Sequence, residues 1–170
     1  MLEVLVAMAL IATAVLGVAG LVSVAVQSGD AARAQSTATL LATQKMDQLL
    51  ALTWRFDTAG TGLPEGDTSS DVSYDPPRAG GTGLDPSPAA TIDVTTAGYA
   101  DYLDRAGRWV GRGTVAPAGA VYLRRWSVQR LPLDPADSRV IQVLVRPVTR
   151  ASAFGRADVV LTSVKTRTIS

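Results

Sequence analysis

Residues 1–26 form one apolar run, MLEVLVAMALIATAVLGVAGLVSVAV, with a single ionisable side chain, Glu3, and no proline. A helix over this run rises roughly 39 Å, more than the ~30 Å hydrocarbon thickness of a bilayer. Its Leu, Ile and Val side chains, each worth about 0.3 to 0.6 kcal/mol toward insertion, outweigh one carboxylate near the end that costs about 2.5 kcal/mol or less. Whatever the rest of the chain builds, it must build it on a helix that prefers lipid or other apolar helices to water. Leu2, Val4, Leu5, Val6, Leu10, Ile11 and Leu16 are the residues expected to line that membrane helix.

A cleavable secretory signal would carry a basic n-region and a shorter apolar stretch than this one. A plain single-pass anchor fits the length and leaves Glu3 unexplained, since a carboxylate in an apolar helix is costly without an interface or a partner.

Past Gln27 the composition changes while helical character continues. In 27–54, Ala34, Ala38, Leu41, Ala42, Leu49 and Leu52 recur near helical spacing, with Arg33, Gln35, Gln44 and Asp47 between them, as on an amphipathic helix. The next proline is Pro64, so one helix of about fifty residues is predicted, with Gly17, Gly20 and Gly29 as its weak points at about 1 kcal/mol each against alanine. Met46, Leu49 and Trp54 form a face suited to covering a sheet, and Trp126 is the expected core partner on that sheet.

Region 55–120 is rich in Gly, Pro, Ser, Thr and Asp and reads mainly as loop, with a turn at Asp104-Arg105-Ala106-Gly107 and a short Trp109-Val110 strand. Region 121–170 reads as an antiparallel sheet of three strands, over 121–129, 139–148 and 158–168, with loops at 132–135 and 149–155. In the second strand Ile141, Val143 and Val145 share one face, and in the first Tyr122, Trp126 and Val128 share the parity of Arg124. The fold class expected is therefore α+β: a long N-terminal spine helix packed on a small antiparallel β head.

Composition narrows function by exclusion. The chain has no Cys and no His, which removes disulfides, thiolate nucleophiles, the usual zinc ligand sets and imidazole triads. Asp101 with Asp104, or a serine near Lys165, gives no diagnostic catalytic context, so no enzyme, catalytic residue or cofactor is expected. Asp57, Asp67, Asp71 and Asp75 lack the alternating-oxygen spacing of an EF-hand and read as turn residues, with no metal. With 16 basic and 15 acidic residues the net charge is +1, so no global field draws nucleic acid. An alternative to a structural role is a membrane-anchored extracytoplasmic binding module, for DNA or a protein partner, using Arg105, Arg108, Arg112, Arg124, Arg125 and Arg130.

MLEVLVAM at 1–8 resembles the mature start of type IV pilins and type II secretion pseudopilins, the family with a prepilin-type N-terminal helix. TQKMDQLLALTW at 43–54, and Arg124-Arg125-Trp126-Ser127-Val128 followed by a valine-rich strand and a final Val-Leu-Thr strand, resemble the spine-helix end and C-terminal sheet of PilV-like minor pilins and minor pseudopilins. The resemblance implies a filament subunit whose Glu3 pairs with the N-terminal amine of a neighbouring subunit. Its implied partners are other pilins or pseudopilins, the inner-membrane assembly platform and, where a leader precedes Met1, prepilin peptidase; no residue of this sequence carries the processing site. The implied location is the bacterial inner membrane, single-pass with the head extracytoplasmic, and then a type IV pilus or secretion pseudopilus.

Overall fold

Alanine-rich sequence without an internal proline keeps the backbone helical from Leu2 to Ala51, a single α1 of 50 residues, about 75 Å long. The structure is a computed structural model describing residues 2–57, 60, 64–149 and 158–168, with backbone alone at 5, 9, 10, 12, 14 and 64. The helix runs unbroken through Gly17, Gly20 and Gly29, where helix continuity prevails over the modest propensity cost of glycine. Most of the loop expected at 149–155 lies outside the described residues, as do the side chains of Leu5 and Leu10.

The buried positions of α1 are Ala38, Leu41, Ala42, Lys45, Met46 and Leu49. Steps of three and one place them on one stripe. N-terminal to Ala31 every described side chain of the helix is exposed, so the first 29 or so helical residues project free of the head over roughly 43 Å.

Past Ala51 the chain forms β1 (Trp54–Phe56), β2 (Pro64–Gly66), β3 (Ser70–Asp71), β4 (Arg78–Ala79), β5 (Ala100–Leu103), β6 (Trp109–Arg112), β7 (Tyr122–Leu131), β8 (Asp134–Pro147) and β9 (Val159–Thr166). β1 pairs with β2 and β3 with β4, while the main sheet has the order β6-β5-β7-β8-β9, antiparallel throughout. The sheet therefore begins at Ala100: β5 comes from sequence read as loop, while β6 contains the short strand expected at Trp109-Val110. β8 begins at Asp134, opposite Leu131, so the 132–135 loop tightens to a two-residue tip.

Period-two alternation divides the sheet. Tyr122, Arg124 and Trp126 of β7 face α1, alongside Val145 and Val143, their partners being Pro147, Val145 and Val143 in register. The core gathers Ala38, Leu41, Met46 and Leu49 with Trp54, Trp126 and Val143. On the opposite face Ala100, Tyr102 and Leu123 make a smaller cluster. The result is an α+β fold in which the C-terminal part of one long helix packs on an antiparallel sheet.

Candidate functional site

Two features of α1 bear on function: a projecting apolar half, and a buried polar centre that fixes the other half to the sheet. In the projecting half Leu2, Val4, Val6, Ile11 and Leu16 are all exposed, Leu16 at 72%, and so is Glu3. The helix is long and apolar enough to cross a membrane, and its apolar window buries nothing against the head.

The buried centre lies where β5 and β7 pass beneath the helix. Asp101 and Arg124 are register partners on neighbouring strands. Arg124 donates from Nε to Asp101 Oδ1 at 2.9 Å and from Nη2 to Oδ2 at 2.8 Å, a bidentate fork, and from Nη1 to the Leu41 carbonyl at 3.3 Å. Lys45 descends from α1 and places Nζ 3.0 Å from Asp101 Oδ2, with Asp101 0% and Lys45 1% exposed. The same ammonium donates to the Val72 carbonyl at 2.5 Å and to Gln48 Oε1 at 2.7 Å, and it lies 4.2 Å from the centroid of the Trp126 ring.

Three charges in contact leave one positive charge in excess. Burial is the main cause that lowers Lys45 from its ordinary 10.5 to about 8, offset in part by the attraction of Asp101 and deepened by Arg124. A cavity of about 90 Å³ lined by Gln44, Gln48, Asp75 and Arg124 opens beside this centre.

A second lock closes the far end of the helix. Trp54 donates from Nε1 to the Asp137 carbonyl at 2.8 Å, and the guanidinium carbons of Arg139 and Arg167 stack over its ring, 4.2 and 4.0 Å from the centroid. Lys165 on β9 donates to the Leu50 carbonyl, capping the last turn. Met46, Leu49, Trp54 and Trp126 thus belong to one cluster joining helix to sheet.

The remaining candidates are dispersed. Asp67 accepts from the Ser69 and Ser70 amides and the Ser70 hydroxyl, at 3.1, 2.9 and 2.6 Å; burial pushes its carboxyl up, and these bonds outweigh it to leave the value below the ordinary range. Asp71 binds Ser73 and Arg112, Asp104 closes its own turn through the Ala106 and Arg108 amides, and Asp75 is exposed. Among the described residues no three acidic groups converge as a metal site would require. Of the six arginines considered as a binding patch, Arg124 is buried under α1 and Arg125 is buried on the other face, donating to the Asp93 carbonyl. Arg112 lies against Tyr74 and pairs with Asp71, while Arg105, Arg108 and Arg130 are exposed. The burial of Lys45 and Asp101 was not expected from the sequence; the available signal was the lysine's place between Leu41 and Leu49, four residues from each.

Fold and helix together define an α+β protein with one membrane-length helix and a five-stranded antiparallel head. Comparison with protein-family models, curated proteins and solved structures gave no match.

Proposed function

We propose that this chain is a minor pilin or pseudopilin subunit, a structural component that inserts through α1 into the bacterial inner membrane with its head extracytoplasmic and then packs into a filament of like subunits. The observation that carries the reading is the projecting half of α1, predominantly apolar, with every described side chain exposed N-terminal to Ala31. Such a surface needs lipid or other helices on every side. Lipid covers it before assembly; neighbouring helices cover it afterwards. Glu3 is the one charge in the apolar stretch, and pairing with the amino terminus of a neighbouring subunit neutralises it inside the bundle. A plain anchor needs no such residue. Pilin-like neighbours, the assembly platform and, where a leader precedes Met1, prepilin peptidase are the partners of this reading, which involves neither catalysis nor nucleic acid.

The test is crosslinking in the native membrane from a single cysteine at Leu16, which is 72% exposed, in a chain with no cysteine of its own. Ladders with other small helix-anchored subunits support a filament role. A protein that stays monomeric, or that meets only unrelated neighbours, reduces α1 to an anchor and removes the assembly reading.

A further inference from the structure

We infer that the cavity between α1 and the sheet is a binding site for one small, singly charged anion of the formate or chloride class, and that this ion completes the seat of α1 on the head. The charge count beneath the helix points to such a ligand. Lys45 and Arg124 share a single oxygen, Asp101 Oδ2, at 3.0 and 2.8 Å, so one carboxylate answers two cations. All 15 acidic side chains of the chain belong to described residues, and Asp101 is the only one of them ion-paired with either base. The remaining positive charge is enclosed, with Lys45 1% and Arg124 3% exposed, where solvent screens least and an unanswered charge costs most.

The cavity lies against that excess. Its volume of about 90 Å³ has room for several waters or for one ion of a few heavy atoms. Arg124 lines it from β7, Gln44 and Gln48 from successive turns of α1, and Asp75 from the turn between β3 and β4, so an occupant touches three elements at once. Donors predominate in this lining. Arg124 directs two N–H groups at Asp101 and one at the Leu41 carbonyl, and a guanidinium carries more than these, on Nη1 and Nη2. Gln48 gives its Oε1 to the Lys45 ammonium at 2.7 Å, so its amide nitrogen is the end left to bind elsewhere. The Gln44 side chain is exposed and makes no bond to another described residue. A planar carboxylate accepts from a guanidinium and from amides with both of its oxygens.

Asp75 sets the selectivity. It is exposed, forms no ion pair with Lys45 or Arg124 among the described residues, and pulls on Lys45 less than Asp101 does. A carboxylate at that rim leaves the enclosed charge unneutralised, yet it repels a second negative charge, which restricts the occupant to a monoanion. Because Gln44 and Gln48 belong to the helix and Arg124 to the sheet, an ion held among them ties one to the other beside the Leu41 contact. This tie is independent of what α1 does outside the head.

The test is urea unfolding of the full-length chain in mild detergent at pH 7, followed by tryptophan fluorescence, as sodium formate replaces sodium gluconate at constant ionic strength. Gluconate carries the same charge on a body too bulky for the cavity. The midpoint is expected to rise with formate and then level off, as binding to the folded state alone requires. Lys45→Met removes the excess charge, keeps the Arg124–Asp101 fork, and is expected to raise the half-saturating formate concentration about tenfold or more. Gln44→Leu, at an exposed position, is expected to raise it about threefold with the midpoint in gluconate unchanged. A midpoint indifferent to formate overturns the proposal, and so does a response that neither variant weakens. Asp75→Asn is expected to keep the formate response or sharpen it. If Asp75→Asn instead lowers the midpoint in gluconate and formate restores it, Asp75 is the missing counterion and the anion site is refuted.

Discussion

Replacing Asp101 by asparagine is the sharpest perturbation of the helix-to-sheet lock. Among the described residues Asp101 is the one carboxylate ion-paired with both Lys45 and Arg124, at 3.0 and 2.8 Å, and it is fully buried. Asp101→Asn keeps the shape and leaves two buried cations facing each other, a loss of about 3 to 5 kcal/mol when one partner of a buried ion set is removed. Against a domain stability of about 5 to 15 kcal/mol, that is a large fraction. Lys45→Met removes the surplus cation and preserves the Arg124–Asp101 fork. It gives up the bonds to Val72 and Gln48 while relieving the desolvation that holds Lys45 near 8, so its net effect is expected within about 1.5 kcal/mol of zero. The assay is urea unfolding in mild detergent, followed by circular dichroism and tryptophan fluorescence, on wild type, both single variants and the double variant. Asp101→Asn is expected to lose at least 2 kcal/mol more than Lys45→Met, with part of that loss recovered in the double variant because one cation is gone. Equal losses, or a larger one for Lys45→Met, would refute the assignment of Asp101 as the counterion of both bases.

Other outcomes follow from the same geometry. Because Lys45 is depressed to about 8 from 10.5 in the folded protein, the unfolded chain holds the extra proton between those values, and stability rises with pH across that window by on the order of 3 kcal/mol. Lys165, also lowered by burial, adds in the same direction, and Lys45→Met is expected to flatten most of the slope in pH-dependent urea melts. Trp126→Ala, at a side chain 1% exposed in the main core, is expected to cost about 3 to 5 kcal/mol in the same melts. Gly81→Ala places a Cβ 2.2 Å from the Asp71 Cα and is expected to destabilise the head by more than about 1 kcal/mol. Gly29→Ala meets nothing within 4 Å and is expected to strengthen the helix by up to about 1 kcal/mol. Glu3→Ala and Glu3→Lys are expected to reduce incorporation into filaments, measured in sheared filament fractions, with the head's circular dichroism unchanged; normal incorporation of both variants would remove the charge-pairing argument.

The local parts of this fold were readable because the forces that form them are local. An apolar run without proline is a helix in almost any context, and the three-and-four spacing of Ala38, Leu41, Ala42 and Leu49 marked the face that meets the sheet. The parity of Tyr122, Trp126 and Val128 likewise placed Arg124 on the inward side of β7. What was not readable depends on residues distant in sequence. Arg124 finds Asp101 at a separation of 23 residues and Leu41 at 83, and the place of Lys45 on the apolar stripe between Leu41 and Leu49 does not by itself name the carboxylate that encloses its ammonium. β6 was readable as the short strand at Trp109-Val110, whereas β5 is four residues long, too short for alternation to stand out from a loop; it becomes a strand because β6 and β7 supply its hydrogen bonds, and all four of its residues are buried.

Those two kinds of interaction divide the work along α1. Apolar contact is tolerant of sliding, since one leucine in a stripe is replaced by another when the helix shifts by a turn of about 5.4 Å. The Lys45–Asp101–Arg124 set is intolerant of it. The same shift pulls the ammonium of Lys45 away from the Asp101 carboxylate that it shares with Arg124. A long helix whose outer half meets only apolar surroundings has nothing there to fix its height relative to the head. The register must therefore be set inside the head, and the buried ions do so at the point where Arg124 also holds the helix backbone at Leu41. Their contribution is to the position of the helix more than to net stability, consistent with Lys45 sitting where burial opposes its charge.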